Sequence, residues 1–406
     1  MGNMTVADVQ RSLIRLGFDP GNADGIFGPL TEIALKRFQR AYRVRVDGSI
    51  SPETIRLLRA NLPSCRLLVP ASGYHSLSGL AHDAGSTTHA LLEANPHKLR
   101  EPLYPGEILQ VHRRLAACIL DPCCDVSAIE SQGWSLMAVP AWAATPDGDI
   151  HGTGQSTIDS PAGRSGAATP ASLWGIIDLA DEPLKAIARS KKRIHDTSGR
   201  LLEEARALGF AGLILRSRGL DFDSGMCFSR LLKVLSRDRN SNDDSSDLAL
   251  GLGVCVELTD AHGCHDLDEL CAWADWLILR TAQAPVDWKS LIDAARKAPR
   301  WKLLAGIDLQ PYCIDGSNIS RIGWAEFERL RTRHVMRETA DTESGLQHFT
   351  FRARGRVRRI TVEDRGSLSR TLRQVNTLNM LGVAVMGLPP KPEWVHEEMC
   401  AKFIPM

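Results

Sequence analysis

Between residues 115 and 406, short apolar runs alternate with segments of helical periodicity, an order that few folds accept. The runs are Trp134 to Val139, Leu173 to Ile177, Gly212 to Leu215, Leu250 to Val256, Trp276 to Leu279, Leu303 to Ile307 and Gly382 to Val385. Such runs, without regular polar alternation, are the pattern of strands buried on both faces in a parallel sheet. Between them, Thr197 to Leu208, Met226 to Leu235, Leu267 to Ala274, Trp288 to Ala298 and Ser367 to Leu381 carry apolar residues at helical spacing. Strand–helix repetition over about 290 residues predicts a closed (β/α)8 TIM-like barrel rather than an open sheet. Gly152 to Thr169 and Asn240 to Asp247 read as loops.

Residues 1–62 have a different texture. Val6, Val9, Leu13 and Leu16 recur at helical spacing up to Gly17, which predicts a short amphipathic helix. Asp19 to Gly25 is rich in turn formers. Thr31 is placed to cap a second helix, with Ile33, Ala34, Leu35 and Phe38 on its buried side. Asp47-Gly48 makes another turn, and Ser51-Pro52 opens a third helix. A three-helix bundle follows. Val9-Gln10, Leu13, Leu16-Gly17, Asp24-Gly25, Phe27-Gly28-Pro29, Thr31, Ala34, Phe38-Gln39, Asp47-Gly48 and Thr54 together resemble the peptidoglycan-binding domain type 1 of bacterial cell-wall hydrolases. The resemblance implies binding of wall glycan, with Asp24, Gly25 and Phe27 as candidate contacts.

Residues 66–113 read as strand, helix, helix, strand. Leu67 to Val69 and Ile108 to Val111 are the strands, Leu77 to Ala84 and Thr87 to Ala94 the helices, and Asn95-Pro96 stops the second helix. Leu77, Leu80-Ala81, Leu91, Asn95, Leu103, Pro105-Gly106 and Leu109 resemble a LysM module, whose family binds N-acetylglucosamine chains. Asn95 is the candidate contact here. Where that family has a Gly-Asp-Thr turn, this chain has Tyr74-His75-Ser76.

Two such modules ahead of a barrel resemble the spore cortex-lytic and germination proteins of glycoside hydrolase family 18. Pro140-Ala141-Trp142, Pro146-Asp147-Gly148, Ala207 to Gly212, Lys302 to Ile307, Val362-Glu363-Asp364 and Gly387-Leu388-Pro389 with Trp394 carry the likeness. The family's signature strand reads DGxDxDxE, its last Glu being the general acid and the preceding Asp orienting the substrate's acetamido group. On that pattern Arg216 replaces the orienting Asp and Arg218 the acid. A guanidinium stays protonated far above neutral pH and cannot give up a proton to a leaving oxygen. Arg280-Thr281-Ala282-Gln283 stands where the family has Met-Thr-Tyr and an acid, and Met386 where it has a sugar-stacking Trp. The resemblance thus implies a degenerate catalytic site.

Other carboxylates at predicted strand ends are Asp178 and Asp181, and Glu257 and Asp260. Asp178 and Glu257 are the fallback catalytic candidates. Pairing with Arg216, Arg218 or Arg280 is the alternative, because a buried charge needs a partner. The arginines are candidate binding residues for an anion such as a peptide carboxylate. Trp142 follows a predicted strand, where an indole either stacks on a sugar ring or fills core.

The formal net charge is +1, with 49 basic and 48 acidic side chains, which gives no global attraction to nucleic acid or anionic lipid. The basic run Arg352 to Arg359 reads as a solvated hairpin. No stretch approaches the ~20 apolar residues that cross a bilayer, and Met1 to Gln10 has no secretory-signal pattern. Ten cysteines include the pair Cys123–Cys124 and the group Cys255, His262, Cys264, His265 and Cys271, whose spacing matches no standard zinc pattern. No metal or cofactor is expected.

The expectation is a multidomain α/β chain, with a helical bundle over 1–62, a βααβ module over 66–113 and a barrel over 115–406. Its expected role is binding of peptidoglycan or cortex glycan in the envelope or spore, with a silent barrel and with envelope or coat proteins as further partners. Two other readings stay open: an N-acetylglucosaminidase using replacement carboxylates, and a coat scaffold linked through its cysteines.

Overall fold

The computed structural model describes residues 4–15, 18, 20–41, 44–58, 64–69, 76–83, 86–95, 103–104, 107–112, 114–120, 134–153, 172–217, 219–241, 250–258, 265–281, 288–316, 318–341, 346–390 and 392–403. The chain opens with helices α1 (Val6–Arg15), α2 (Pro29–Ala41) and α3 (Pro52–Leu58) around Val9, Leu13, Phe18, Ala34, Leu35, Phe38 and Leu58. Two glutamines organise this bundle by the same device. Gln10 Nε2 donates to Asp24 Oδ1, Ile26 O and Thr31 Oγ1, and Gln10 Oε1 accepts from Gly25 N. Gln39 Nε2 donates to Asp47 Oδ1, Ser49 O and Thr54 Oγ1, and its Oε1 accepts from Gly48 N. The Asp-Gly turns place Gly25 and Gly48 at φ +81° and +72°, where a side chain is strained. Thr31 therefore does not cap a helix. It lies inside α2, which starts at Pro29, and its hydroxyl belongs to the glutamine clamp. Ile33, expected inside, is 55% exposed.

The next unit pairs β1 (Ser64–Leu68) antiparallel with β2 (Ile108–His112) and carries α4 (Leu77–Asp83) and α5 (Thr88–Ala94) between them. Thr87 caps α5 through Ala90 N, and Val69, Leu80, Ala81, Leu91, Leu109 and Val111 form its core.

The remainder is the barrel. Its elements in order are β3 (Leu115–Ile119), β4 (Leu136–Ala144), β5 (Ile150–Gly152), β6 (Ser172–Leu179), α6 (Asp181–Ile187), α7 (Lys191–Ala207), β7 (Gly212–Ser217), α8 (Phe222–Ser241), β8 (Gly251–Leu258), α9 (Leu267–Trp273), β9 (Trp276–Thr281), α10 (Trp288–Lys297) and β10 (Leu303–Asp308). An insertion follows, comprising β11 (Tyr312–Asp315), β12 (Asn318–Arg321), α11 (Trp324–Arg333), β13 (Arg337–Ala340), β14 (Gln347–Ala353) and β15 (Arg356–Val362). The chain closes with α12 (Arg365–Thr377), β16 (Gly382–Met386) and α13 (Glu393–Lys402). Strands β3, β4, β6, β7, β8, β9, β10 and β16 pair in parallel, and β3 closes the ring by pairing with both β16 and β4. This is a closed eight-stranded parallel barrel. Apolar patterning marks every one of these strands except β3, whose Leu-Ala-Ala-Cys-Ile has little side-chain volume. The small residues fit the place, since the backbones of Leu115 and Gly382 lie so close that a β-carbon at Gly382 would strike Leu115 O.

The insertion is a five-stranded antiparallel sheet, ordered β12-β11-β15-β14-β13, packed on α11 through Phe327, Phe349, Phe351 and Ile360. The basic run Arg352 to Arg359 is the turn of its β14–β15 hairpin, with Arg354 and Gly355 both at positive φ.

Trp174 and Trp276 fill the barrel floor, their ring centroids 4.9 Å apart. A β-carbon at Gly212 or Gly251 would fall on the Trp174 ring, and one at Gly253 on the Trp276 ring. The bundle docks below this floor. Trp301 packs against both the barrel interior and the bundle core, its ring 5.5 Å from that of Phe18. Arg37 of α2 pairs with Asp268 of α9 at 2.8 Å. At the same end Arg114, 1% exposed, donates to Asn376 Oδ1, Asn379 Oδ1 and Met380 O.

Candidate functional site

Strand alternation turns every second side chain into a barrel, and the last inward positions meet at its C-terminal mouth. Below the rim, Ile176, Ile214, Cys255, Ile278, Leu304 and Ala384 belong to the interior cluster. In register above it stand Asp178 beside Arg216, Glu257 beside Arg280, and Asp308 beside Met386.

Arg216 holds Asp178 with two bonds, Nε to Oδ1 and Nη2 to Oδ2, the second 2.8 Å long. Arg280 Nη2 lies 3.9 Å from Asp308 Oδ2. From the insertion, Arg321 Nε sits 3.2 Å from the same oxygen and donates to Tyr312 Oη at 3.1 Å, while the Tyr312 hydroxyl donates to Asp308 at 3.4 Å. Burial, reinforced by the Asp308 charge, pushes the Tyr312 phenol up to about 12. Asp178, Glu257 and Asp308 thus alternate around the mouth with Arg216, Arg280 and Arg321, and the formal charges cancel. The Glu257 side chain is half-buried and, among the described residues, lies within 4.0 Å of no cationic nitrogen and makes no hydrogen bond, its charge reaching Arg321 only at longer range. Asp178 therefore pairs with Arg216, whereas Glu257 makes no such contact among the described residues. Arg218 and Asp260 lie outside the described residues.

The other expected contacts scatter. Trp142 is 1% exposed and points out of the barrel, its ring 5.5 Å from Phe210 and its Nε1 donating to Glu204 Oε2 on α7 at 2.7 Å. It is core packing between strand and helix, closed to a sugar. Asn95 is 3% exposed and its Nδ2 donates to Leu91 O, so it ends α5 from within. Asp24 and Gly25 form the turn held by Gln10, whereas Phe27 is 41% exposed beside Ile26 and Leu30, also exposed. Cys255 faces the barrel interior and Cys271 lies in α9, where burial pushes its thiol up to about 12. His265 packs on Phe228, and burial pushes it down to about 4. His262, Cys264, Cys123 and Cys124 lie outside the described residues. Among the described residues no three His, Cys, Asp or Glu side chains are grouped to hold a metal ion.

Asp308, Tyr312 and Arg321 escape sequence reasoning, since the first ends a strand whose apolar run stops at Ile307 and the others arrive on an insertion. The acid closing that run is the one signal that marks the position.

Residues 4–58 match the family described as "Putative peptidoglycan binding domain". No curated protein matches the chain. Among solved structures, a chitinase from Chromobacterium violaceum ATCC 12472 superposes with a TM-score of 0.59 at 19% identity, covering 71% of this chain and 99% of that one. The spore cortex-lytic enzyme SleL of Bacillus cereus superposes at 0.57 with 13% identity, covering 84% of this chain and 99% of its own. A class V chitinase from Nicotiana tobaccum gives 0.59 at 14% identity, covering 72% and 99%. At such identities the likeness is one of fold. No helix among the described residues is long and apolar enough to cross a membrane.

Proposed function

We propose that this protein binds peptidoglycan or a related N-acetylglucosamine glycan in the bacterial envelope or spore, through a bundle over 1–62 and a LysM-like module over 66–113, and that its barrel over 115–406 is a silent platform. The observation that carries the glycan reading is the glutamine-clamped bundle, whose sequence matches a peptidoglycan-binding family over residues 4–58. Silence of the barrel is supported by the mouth. Glycoside hydrolysis needs a carboxylic acid to protonate the leaving oxygen, and both Asp178 and Asp308 are engaged by guanidinium groups. The Arg216 guanidinium is itself taken up by Asp178, which weakens the reading of these arginines as an anion site.

Glu257 favours a second reading, since it stands at the mouth and, among the described residues, has no guanidinium nitrogen within 4.0 Å. In that case it is the acid of an N-acetylglucosaminidase. Co-sedimentation of the full chain with purified sacculi, alongside release of reducing sugar from cortex fragments, decides between them. Binding without reducing ends above the blank is the expected result. Turnover by the wild type that Glu257→Gln abolishes overturns the silent barrel, and failure to sediment overturns the glycan reading.

A further inference from the structure

A cavity of about 580 Å³ opens between the insertion and the end of the chain, at the mouth end of the barrel but outside its ring of charges. Its apolar walls are Trp324, Trp394, Pro389 and Pro390. Trp324 Nε1 donates to Gly387 O at 2.9 Å, which fixes the indole and leaves its ring as lining. Size and composition are those of a small-molecule site, largely apolar with a few convergent polar groups.

The polar groups divide by how far they are already used. Arg365 is occupied by Glu397 and Glu398, each at 3.0 Å. Asp364 accepts from Ser367 N and Gln347 Nε2, completing the cap of α12. Glu363 is 5% exposed and, among the described residues, accepts from Ser367 Oγ alone. A carboxyl group has room for several hydrogen bonds, so Glu363 brings spare capacity to the cavity it lines. Burial pushes it up to about 7, so that near neutral pH it can both donate and accept.

Charge selects the ligand. Glu328 and Asp364 repel an anion, and Arg365, the one cation among the described lining residues, is already neutralised by Glu397 and Glu398 and offers an anion nothing in return. A neutral polyhydroxy ring escapes that repulsion and suits the apolar walls, placing its C–H face on an indole and its hydroxyls on Glu363. Resting on the glycan reading above, we propose that this cavity is a second saccharide site, which takes a neutral pyranose of the wall glycan between Trp324, Trp394 and Glu363.

Calorimetric titration of the full chain with the N-acetylglucosamine tetramer tests it. A saturable site beyond any binding by the two N-terminal modules is expected, and it is weakened about tenfold or more by Trp394→Ala and by Glu363→Ala. On the wild type, bound tetramer should also protect Trp394 from indole oxidation read by mass spectrometry, a readout that does not depend on the variants folding. Loss of binding in Arg280→Ala with Trp394 unprotected places the ring in the mouth and overturns the inference, as does absence of any tetramer binding. Sedimentation with sacculi is scored separately. Sacculi bound without tetramer bound sinks this site alone, and tetramer bound with sacculi unbound sinks the wall-binding reading alone.

Discussion

At the floor of the barrel two tryptophans lie 4.9 Å apart over glycines of neighbouring strands, whereas at the mouth the same strands end in Asp178, Arg216, Glu257, Arg280 and Asp308. The floor is built by volume, each large ring matched to a missing β-carbon. The mouth is built by charge, each carboxylate set beside a guanidinium on the next strand or on the insertion. Volume complementarity tolerates few exchanges, because a protein interior is packed to crystal density. Charges at the rim answer to one another rather than to close packing, so a neutral isostere there can be taken up with less effect on the fold. The kind of complementarity therefore sorts the two ends, with stability and the docked bundle at the floor and room for altered chemistry at the mouth.

Trp174→Ala is the sharpest way to break that contrast. It removes the ring that occupies the space over Gly212 and Gly251, and a cavity of this kind costs about 3–5 kcal/mol. Urea unfolding of the full chain should show the transition of the barrel shifted by that amount, while Glu257→Gln at the mouth leaves it nearly in place. Equal losses from the two would mean that the ends are not built by different rules.

The same contrast explains what could be read from residue order. Seven barrel strands announce themselves because a strand buried on both faces is a run of large apolar side chains. The eighth, Leu115 to Ile119, carries Ala116, Ala117 and Cys118, buried but small, and its pattern fades for that reason. The mouth is harder to read. Arg216 and Asp178 are legible as charges ending apolar runs, but Arg321 and Tyr312 reach the site from an insertion that only the folded chain brings there. Trp142 misleads because a bulge at Pro140 turns it outward onto α7. The Val362-Glu363-Asp364 string is visible in the sequence, yet the burial that makes Glu363 unusual comes from α12 and from the segment after β16.

Glu363 sharpens the comparison from the mouth end, as an acid buried, among the described residues, with no cationic nitrogen within 4.0 Å. Its folded-state value of about 7 lies above the ordinary 4.5, with Asp364 and Asp308 adding to the effect of burial. The folded protein therefore binds this proton more tightly than the unfolded chain. The stabilisation is fully present below about pH 4.5 and is lost as pH rises through about 7, amounting to about 3 kcal/mol across the window. Urea midpoints of wild type and Glu363→Gln taken at several pH values should diverge accordingly, the wild type falling relative to the variant as pH rises. Parallel curves would mean that the carboxyl group is solvated.

The smallest expected effect lies below the floor, where the bundle meets the barrel. Phe18 on Trp301 is an apolar contact, and Arg37 with Asp268 adds an ion pair whose side chains are 26% and 15% exposed. Burial raises the Asp268 carboxyl and Arg37 acts against that rise, so Arg37→Ala leaves a largely buried acid without that partner. Water still reaches the edge of the contact, which limits the loss to about 1 kcal/mol. Docking should weaken without unfolding either part, and limited proteolysis between bundle and barrel should quicken several-fold while the barrel's urea transition stays in place. Trp301→Ala should quicken cleavage further and also lower the barrel transition, because that indole packs on the interior cluster as well as on the bundle. If Arg37→Ala lowered the barrel transition as much as Trp301→Ala does, charge rather than apolar packing would hold this end, and the division between floor and mouth would fail.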